Sequence, residues 1–285
     1  MSKGKPSKSS GRSKARSSIS WIFLALVFII VITFLCYAGQ AWTKQSETQN
    51  NSGTLTMSSH VPHDGTLYTQ GIFFYDQNTY YESGGLYGQS RIQKVSFPDG
   101  IVLKQYTFPK EIFGEGITLV NNTIYMFTWK EHKGYKFDLD LNLLEEFTFS
   151  TRTGEGWGMT YDGISIVVSD GSNSIMFWDP NTLKETKRIS VHYQSGKTVG
   201  YLNELEYING YIYANVYYQE IIVKINPLDG QVEQILDLSS LRPLLGDNSG
   251  YSAEVLNGIA YDGVNDTIWI TGKRWSKMFG MKYQI

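Results

Sequence analysis

Five residues head five copies of one short phrase along this chain: Gln70, Glu115, Trp157, Asn203 and Asn257. If one surface collects them, it holds a single carboxylate, three carboxamides and an indole. A structural plug would need apolar or small residues, whereas this mixture suits a pocket for a polar small group. Glu115 is then positioned for general acid/base work, with a solvated or salt-bridged channel glutamate as the alternative. Trp129, Asp170, Tyr217 and Lys273 close the second run of each repeat and are expected at the periphery of the same end face, where loops carry function. Lys273 reads equally as a solvated cation, and Trp129 and Trp157 equally as core packing. Near Asp170, a structural calcium ion and an ordinary turn fit Gly171 and Ser172 equally well.

Positioning such a set requires repeated elements. The phrases Gln70-Gly71-Ile72, Glu115-Gly116-Ile117, Trp157-Gly158-Met159, Asn203-Glu204-Leu205 and Asn257-Gly258-Ile259 each begin a hydrophobic strand. A short turn such as Asn121-Asn122, Asp162-Gly163 or Asn209-Gly210 follows, then a second β-rich run, which predicts hairpins. The first four hairpins precede a further alternating pair, giving four strands per repeat. The phrases start 45, 42, 46 and 54 residues apart, close to the period of propeller blades. The expected fold class is all-β, a five-bladed β-propeller whose innermost strands bring the five phrase heads to one channel mouth. Gly71, Gly116, Gly158 and Gly258 leave room near the crowded axis, with Glu204 the exception. The last repeat retains chain for one more strand only, around Met278 to Tyr283, and the segment from Thr54 to about Ser59 is expected to complete that blade.

Composition narrows the classes. The chain has 285 residues, 41% hydrophobic and 14% aromatic, with 20 Tyr and a formal charge of −2. That describes a sheet-rich body and argues against nucleic acid as a partner. Its sole cysteine, Cys36, lies in the N-terminal apolar segment, so the remainder forms no internal disulfide and offers no thiol nucleophile. Residues 1–20 are basic, 21–38 almost wholly apolar, 39–53 a polar linker, and 54–285 the propeller. The apolar run is long enough to cross a bilayer, and the basic flank predicts a cytoplasmic N-terminus with the domain outside. A single-pass membrane anchor is therefore expected, a cleaved signal peptide being the rival reading. His60, His63, His132 and His192 fall outside the repeat positions and are expected as surface or loop histidines, so no metal site is assigned. The chain is expected to act as a monomer.

Over about Pro62 to Tyr283 the sequence resembles the plant and bacterial β-propeller glutaminyl cyclases, the glutaminyl-peptide cyclotransferases. The resemblance rests on Pro62-His63-Asp64, Tyr68-Thr69-Gln70-Gly71, the run Glu82 to Ser90, Phe113-Gly114-Glu115-Gly116-Ile117-Thr118, Thr128-Trp129-Lys130, Glu155-Gly156-Trp157-Gly158, Asn203-Glu204-Leu205-Glu206, Leu256-Asn257-Gly258-Ile259 and Thr271-Gly272-Lys273. It implies conversion of the N-terminal glutamine of peptides or proteins to pyroglutamate with release of ammonia, without a catalytic zinc or other cofactor. By position it implies Glu115 as the acid/base, Gln70, Trp129, Trp157, Asn203 and Lys273 as pocket residues, and Phe113 as an apolar wall. Tyr68 stands where the family usually has Phe, and Tyr217 where a pocket Trp is expected. The alternative function is a non-catalytic extracytoplasmic propeller that binds peptides or glycans through its aromatic face.

Overall fold

Among the described residues, 55–246 and 252–283 of this computed structural model, the alternating runs form twenty strands in five antiparallel sheets of four. After β1 (Leu55–Pro62), the first blade runs outward as β2 (Thr69–Asp76), β3 (Thr79–Gly84), β4 (Arg91–Ser96) and β5 (Val102–Thr107). The second holds β6 (Gly114–Val120), β7 (Thr123–Thr128), β8 (Lys133–Phe137) and β9 (Leu143–Thr148). The third holds β10 (Met159–Tyr161), β11 (Ile166–Ser169), β12 (Ser174–Trp178) and β13 (Glu185–Ser190), and the fourth β14 (Leu202–Ile208), β15 (Tyr211–Val216), β16 (Ile221–Ile225) and β17 (Val232–Asp237). In the fifth, β18 (Leu256–Asp262), β19 (Thr267–Gly272) and β20 (Lys277–Tyr283) are completed by β1, which pairs with β20 from Leu55 opposite Tyr283 to Pro62 opposite Lys277. This is the expected five-bladed propeller, closed by the expected N-terminal strand. Closure pairs a strand edge that would otherwise be open.

The burial gradient explains why these residues form these strands. Strand β7, TIYMFT, is buried almost throughout because blades cover both its faces, whereas the outer strands VLKQYT, LLEEFT and ETKRIS carry the charges and face water. The core consists of five layers between neighbouring blades. One of them, closing the ring, packs Ile72, Tyr80 and Val95 of the first blade on Ala260, Trp269 and Met278 of the fifth. Burying a side chain the size of Ile72, Val95 or Met278 contributes about 1.5–3 kcal/mol.

Near the axis the backbones meet. A Cβ on Gly116 would lie 2.7 Å from Met159 N, and one on Gly158 would lie 2.0 Å from Asn203 O, so only glycine fits. Glu204 takes the corresponding place in the fourth blade and bridges instead: its carboxylate accepts from Ile72 N at 3.3 Å and Ile259 N at 2.8 Å, tying blades one and five. Burial pushes the Glu204 carboxyl well above the usual carboxylate range, with Glu206 nearby adding to the shift.

One expectation from the sequence needs revision. His63 is not a surface histidine: it is buried, with Nε2 2.8 Å from Glu82 Oε1 and Nδ1 2.6 Å from Trp275 O. Burial opposes its charged form, but the facing Glu82 carboxylate outweighs that and raises its pKa. His60 and His132 are exposed, and His192 half-buried. Asp170 is buried beside the cavity wall, and its oxygens accept from Thr153 N, Ser172 N and Ser172 Oγ, the turn that Gly171 and Ser172 allowed for. The apolar segment 21–38, expected as a membrane anchor, lies outside the described residues; within them no helix is long and apolar enough to cross a membrane.

Candidate active site

A repeated irregularity builds the site. The ladder register shifts between Thr69 and Gly71, Gly114 and Ile117, Leu202 and Leu205, and Leu256 and Ile259. Each shift falls on a phrase head, and a bulge there takes one side chain out of the strict in/out alternation and re-aims it. Gln70, Glu115 and Asn203 are turned in this way toward one cavity of about 390 Å³, while Trp157 enters just before β10. Phe113, Trp129, Tyr217 and Lys273 complete the set expected from the sequence, and all eight residues line that cavity. Tyr68, Leu86, Tyr201 and Tyr218 line it too. Asn257, the fifth phrase head, sits behind the wall and donates Nδ2 to Thr69 O at 3.0 Å and to Gln70 Oε1 at 3.3 Å.

That bond orients the next one. With its oxygen held by Asn257, the Gln70 carboxamide points Nε2 at Glu115 Oε1, 3.0 Å away. Glu115 is buried, and desolvation raises its pKa well above the usual value; Lys273 opposes the shift, while the Glu155 and Glu131 charges reinforce it. Lys273 is equally buried, with Nζ 4.5 Å from the Tyr68 ring centroid and 4.6 Å from that of Tyr217. Burial lowers its pKa to about 8 against the attraction of Glu115 and Glu254. The cavity thus holds an acid and a cation whose proton affinities burial drives toward each other, a pairing suited to proton transfer. Asn203 is buried beside them, and its carboxamide oxygen has no partner among the described residues.

The walls are aromatic. Phe113 packs against Trp129 at 5.3 Å and edge-on to Tyr68 at 6.4 Å, in space that Gly85 leaves: a Cβ there would lie 2.3 Å from the Phe113 ring. The two departures from the resembled pattern, Tyr68 and Tyr217, meet each other. Their hydroxyls interact, and burial foremost raises both phenol pKa values. Tyrosine at both positions keeps a ring on each side of Lys273.

Sequence reasoning assigned no role to Glu155, two residues before Trp157 and so on the same side of an extended chain. Its Oε2 accepts both indole N–H groups, from Trp129 at 2.8 Å and Trp157 at 2.9 Å, and Oε1 lies 3.3 Å from Lys130 Nζ. Partial burial alone would raise its pKa, but these donors outweigh it and hold Glu155 ionised. One carboxylate therefore sets the planes of both tryptophans. Glu155→Ala is expected to lower turnover efficiency roughly ten- to a hundredfold by misplacing those rings, and to change tryptophan emission. Glu155→Gln keeps an acceptor oxygen and should restore most of both; equal losses in the two variants would refute a positioning role.

Comparison with known proteins agrees with this fold. The family model described as glutamine cyclotransferase matches residues 29–283. A glutaminyl-peptide cyclotransferase of Arabidopsis thaliana is 34% identical over 256 residues, covering 90% of this chain and 79% of that protein. The crystal structure of Myxococcus xanthus glutaminyl cyclase superposes with a TM-score of 0.73 at 28% identity, covering 81% of this chain and 96% of that one. By fold and by sequence, the chain belongs to the glutamine cyclotransferase family.

Proposed function

We infer that this protein is a glutaminyl-peptide cyclotransferase, an acyltransferase that converts the N-terminal glutamine of peptides or proteins to pyroglutamate and releases ammonia. The observation that carries this reading is the buried carboxylate of Glu115, the one carboxylate lining an aromatic cavity that also holds a buried cation, and oriented there by Gln70. In the reaction the α-amine attacks the side-chain amide carbon of its own residue. A carbon–nitrogen bond forms to close the five-membered ring, and the bond to the amide nitrogen breaks. Glu115 takes one proton from the attacking amine and delivers it to the departing nitrogen, so ammonia leaves and the carboxylate is regenerated. Trp129, Trp157 and Phe113 bury the substrate methylenes and hold the chain folded, which supplies the orientational part of the rate. Gln70 is engaged with Glu115 and Asn257 and orients the base. This leaves the Lys273 ammonium for the developing oxyanion and the Asn203 carboxamide oxygen for the α-amine. The proposed chemistry uses side chains alone and acts on peptides as a monomer.

Incubating the full-length protein with a peptide beginning in Gln tests the function. Loss of one ammonia by mass, matched by ammonia in solution, is expected, with no change in the same peptide acetylated at its N-terminus. A folded protein that turns over no Gln peptide would return the cavity to a binding role.

The apolar run 21–38 and its basic flank further support single-pass anchoring with the propeller outside the cytoplasm. Retention in the membrane fraction after alkaline extraction is the expected result, and release into the supernatant would oppose it.

A further inference from the structure

The aromatic wall continues past the cavity into solvent. From the cavity outward, Trp157 meets Tyr217 at 5.5 Å and 83°, Tyr217 meets Tyr218 at 3.9 Å and 43°, and Tyr218 meets Tyr201 at 6.4 Å and 73°. Tyr218 is 72% exposed and Tyr201 57%, although both line the cavity mouth. We propose that Tyr218 and Tyr201 form the subsite for the residue that follows the N-terminal Gln, and that they favour a large apolar or aromatic side chain there. This rests on the cyclase reading above.

The backbone supports a role outside folding. Tyr218 stands one residue past the end position of the second strand's run, with φ of 67°. The same turn position has φ of 80° at Leu86, 75° at Gly171 and 60° at Arg274, whereas Lys130 of the second blade has no positive φ, so four of the five blades place a left-handed residue there. Glycine adopts that conformation without strain, as the third blade shows, whereas a bulky side chain does so at a cost. Tyr201 is left-handed too, at φ 61°. The exposed Tyr218 phenol contributes little to the core; its contact is with the Tyr217 ring of the cavity wall. A peptide whose first residue fills the cavity must leave through this mouth, and successive residues are about 3.3–3.6 Å apart in extended chain. Its second side chain therefore reaches the rim, where the ladder offers stacking surface continuous with the wall behind it. The charged groups near the mouth at Trp129 are two blades away and already paired: Lys130 with Glu155, and Glu131 with the Tyr87 hydroxyl.

The test compares Gln-Phe-amide with Gln-Gly-amide on the full-length protein. The wild type is expected to prefer Gln-Phe-amide in kcat/KM by roughly tenfold, the size of one aromatic stacking contact. Tyr218→Gly suits the left-handed backbone and is expected to bring the ratio close to one; because a ratio of two substrates does not depend on the folded fraction, unfolding cannot account for that change. Tyr218→Phe should keep the preference. A wild type that turns over both peptides equally, or a Tyr218→Gly variant in which both fall by the same factor, would overturn the subsite and leave the cyclase reading standing. Turnover of neither peptide by the wild type would overturn both.

Discussion

Glu115→Gln is expected to lower kcat/KM for a Gln peptide by about 10²–10⁴-fold, the usual worth of a positioned acid/base group. The substitution preserves shape. It leaves an oxygen to accept from Gln70 Nε2 and removes only the capacity to carry a proton. Stability should move the other way. Desolvation raises the Glu115 pKa in the folded state, so the wild type binds more protons folded than unfolded and loses stability as pH rises from the ordinary carboxylate range through that raised value. A glutamine has nothing to ionise. The variant should therefore melt at the same temperature as the wild type in acid and at a higher one above neutral pH. A variant within a few fold of wild-type activity would remove Glu115 from the mechanism, whatever its melting temperature.

Lys273→Met is expected to cost about 10²-fold in kcat/KM, the order seen when one oxyanion-stabilising donor is removed. Methionine keeps an unbranched apolar chain between the Tyr68 and Tyr217 rings, so packing is largely conserved. The pH profile carries the sharper information. The Lys273 charge lowers the Glu115 pKa against desolvation; without it Glu115 ionises at higher pH, and the acid limb should move upward. The wild type should also lose activity as Lys273 gives up its proton at about 8, and that alkaline limb should vanish in the variant. An unshifted acid limb would show that Lys273 does not act on Glu115 electrostatically.

How much of this was readable beforehand depends on the range of the interactions involved. The five hairpins follow from local signals, Asn121-Asn122, Asp162-Gly163 or Asn209-Gly210 between β-rich runs, and these specify themselves wherever the chain is. Counting their repeats settled blade number, ring order and even the use of an N-terminal strand to complete the fifth sheet, because a period near 45 residues leaves β20 without an outer neighbour. Position in the repeat likewise brought Gln70, Glu115, Trp157 and Asn203 to one mouth.

Repeat position did not separate equivalent residues. Asn203 and Asn257 begin the same phrase, yet one lines the cavity and the other lies behind Gln70. Trp129 and Asp170 close equivalent strands of two blades, yet only the tryptophan lines the cavity. Glu155 holds two indoles from two blades, and His63 is buried against Glu82. Each of these depends on what the neighbouring blade presents at that height. Strand pairing is encoded within a repeat and could be read from it; the facing of one blade on the next, which decides what each phrase head meets, exists only after the ring has closed.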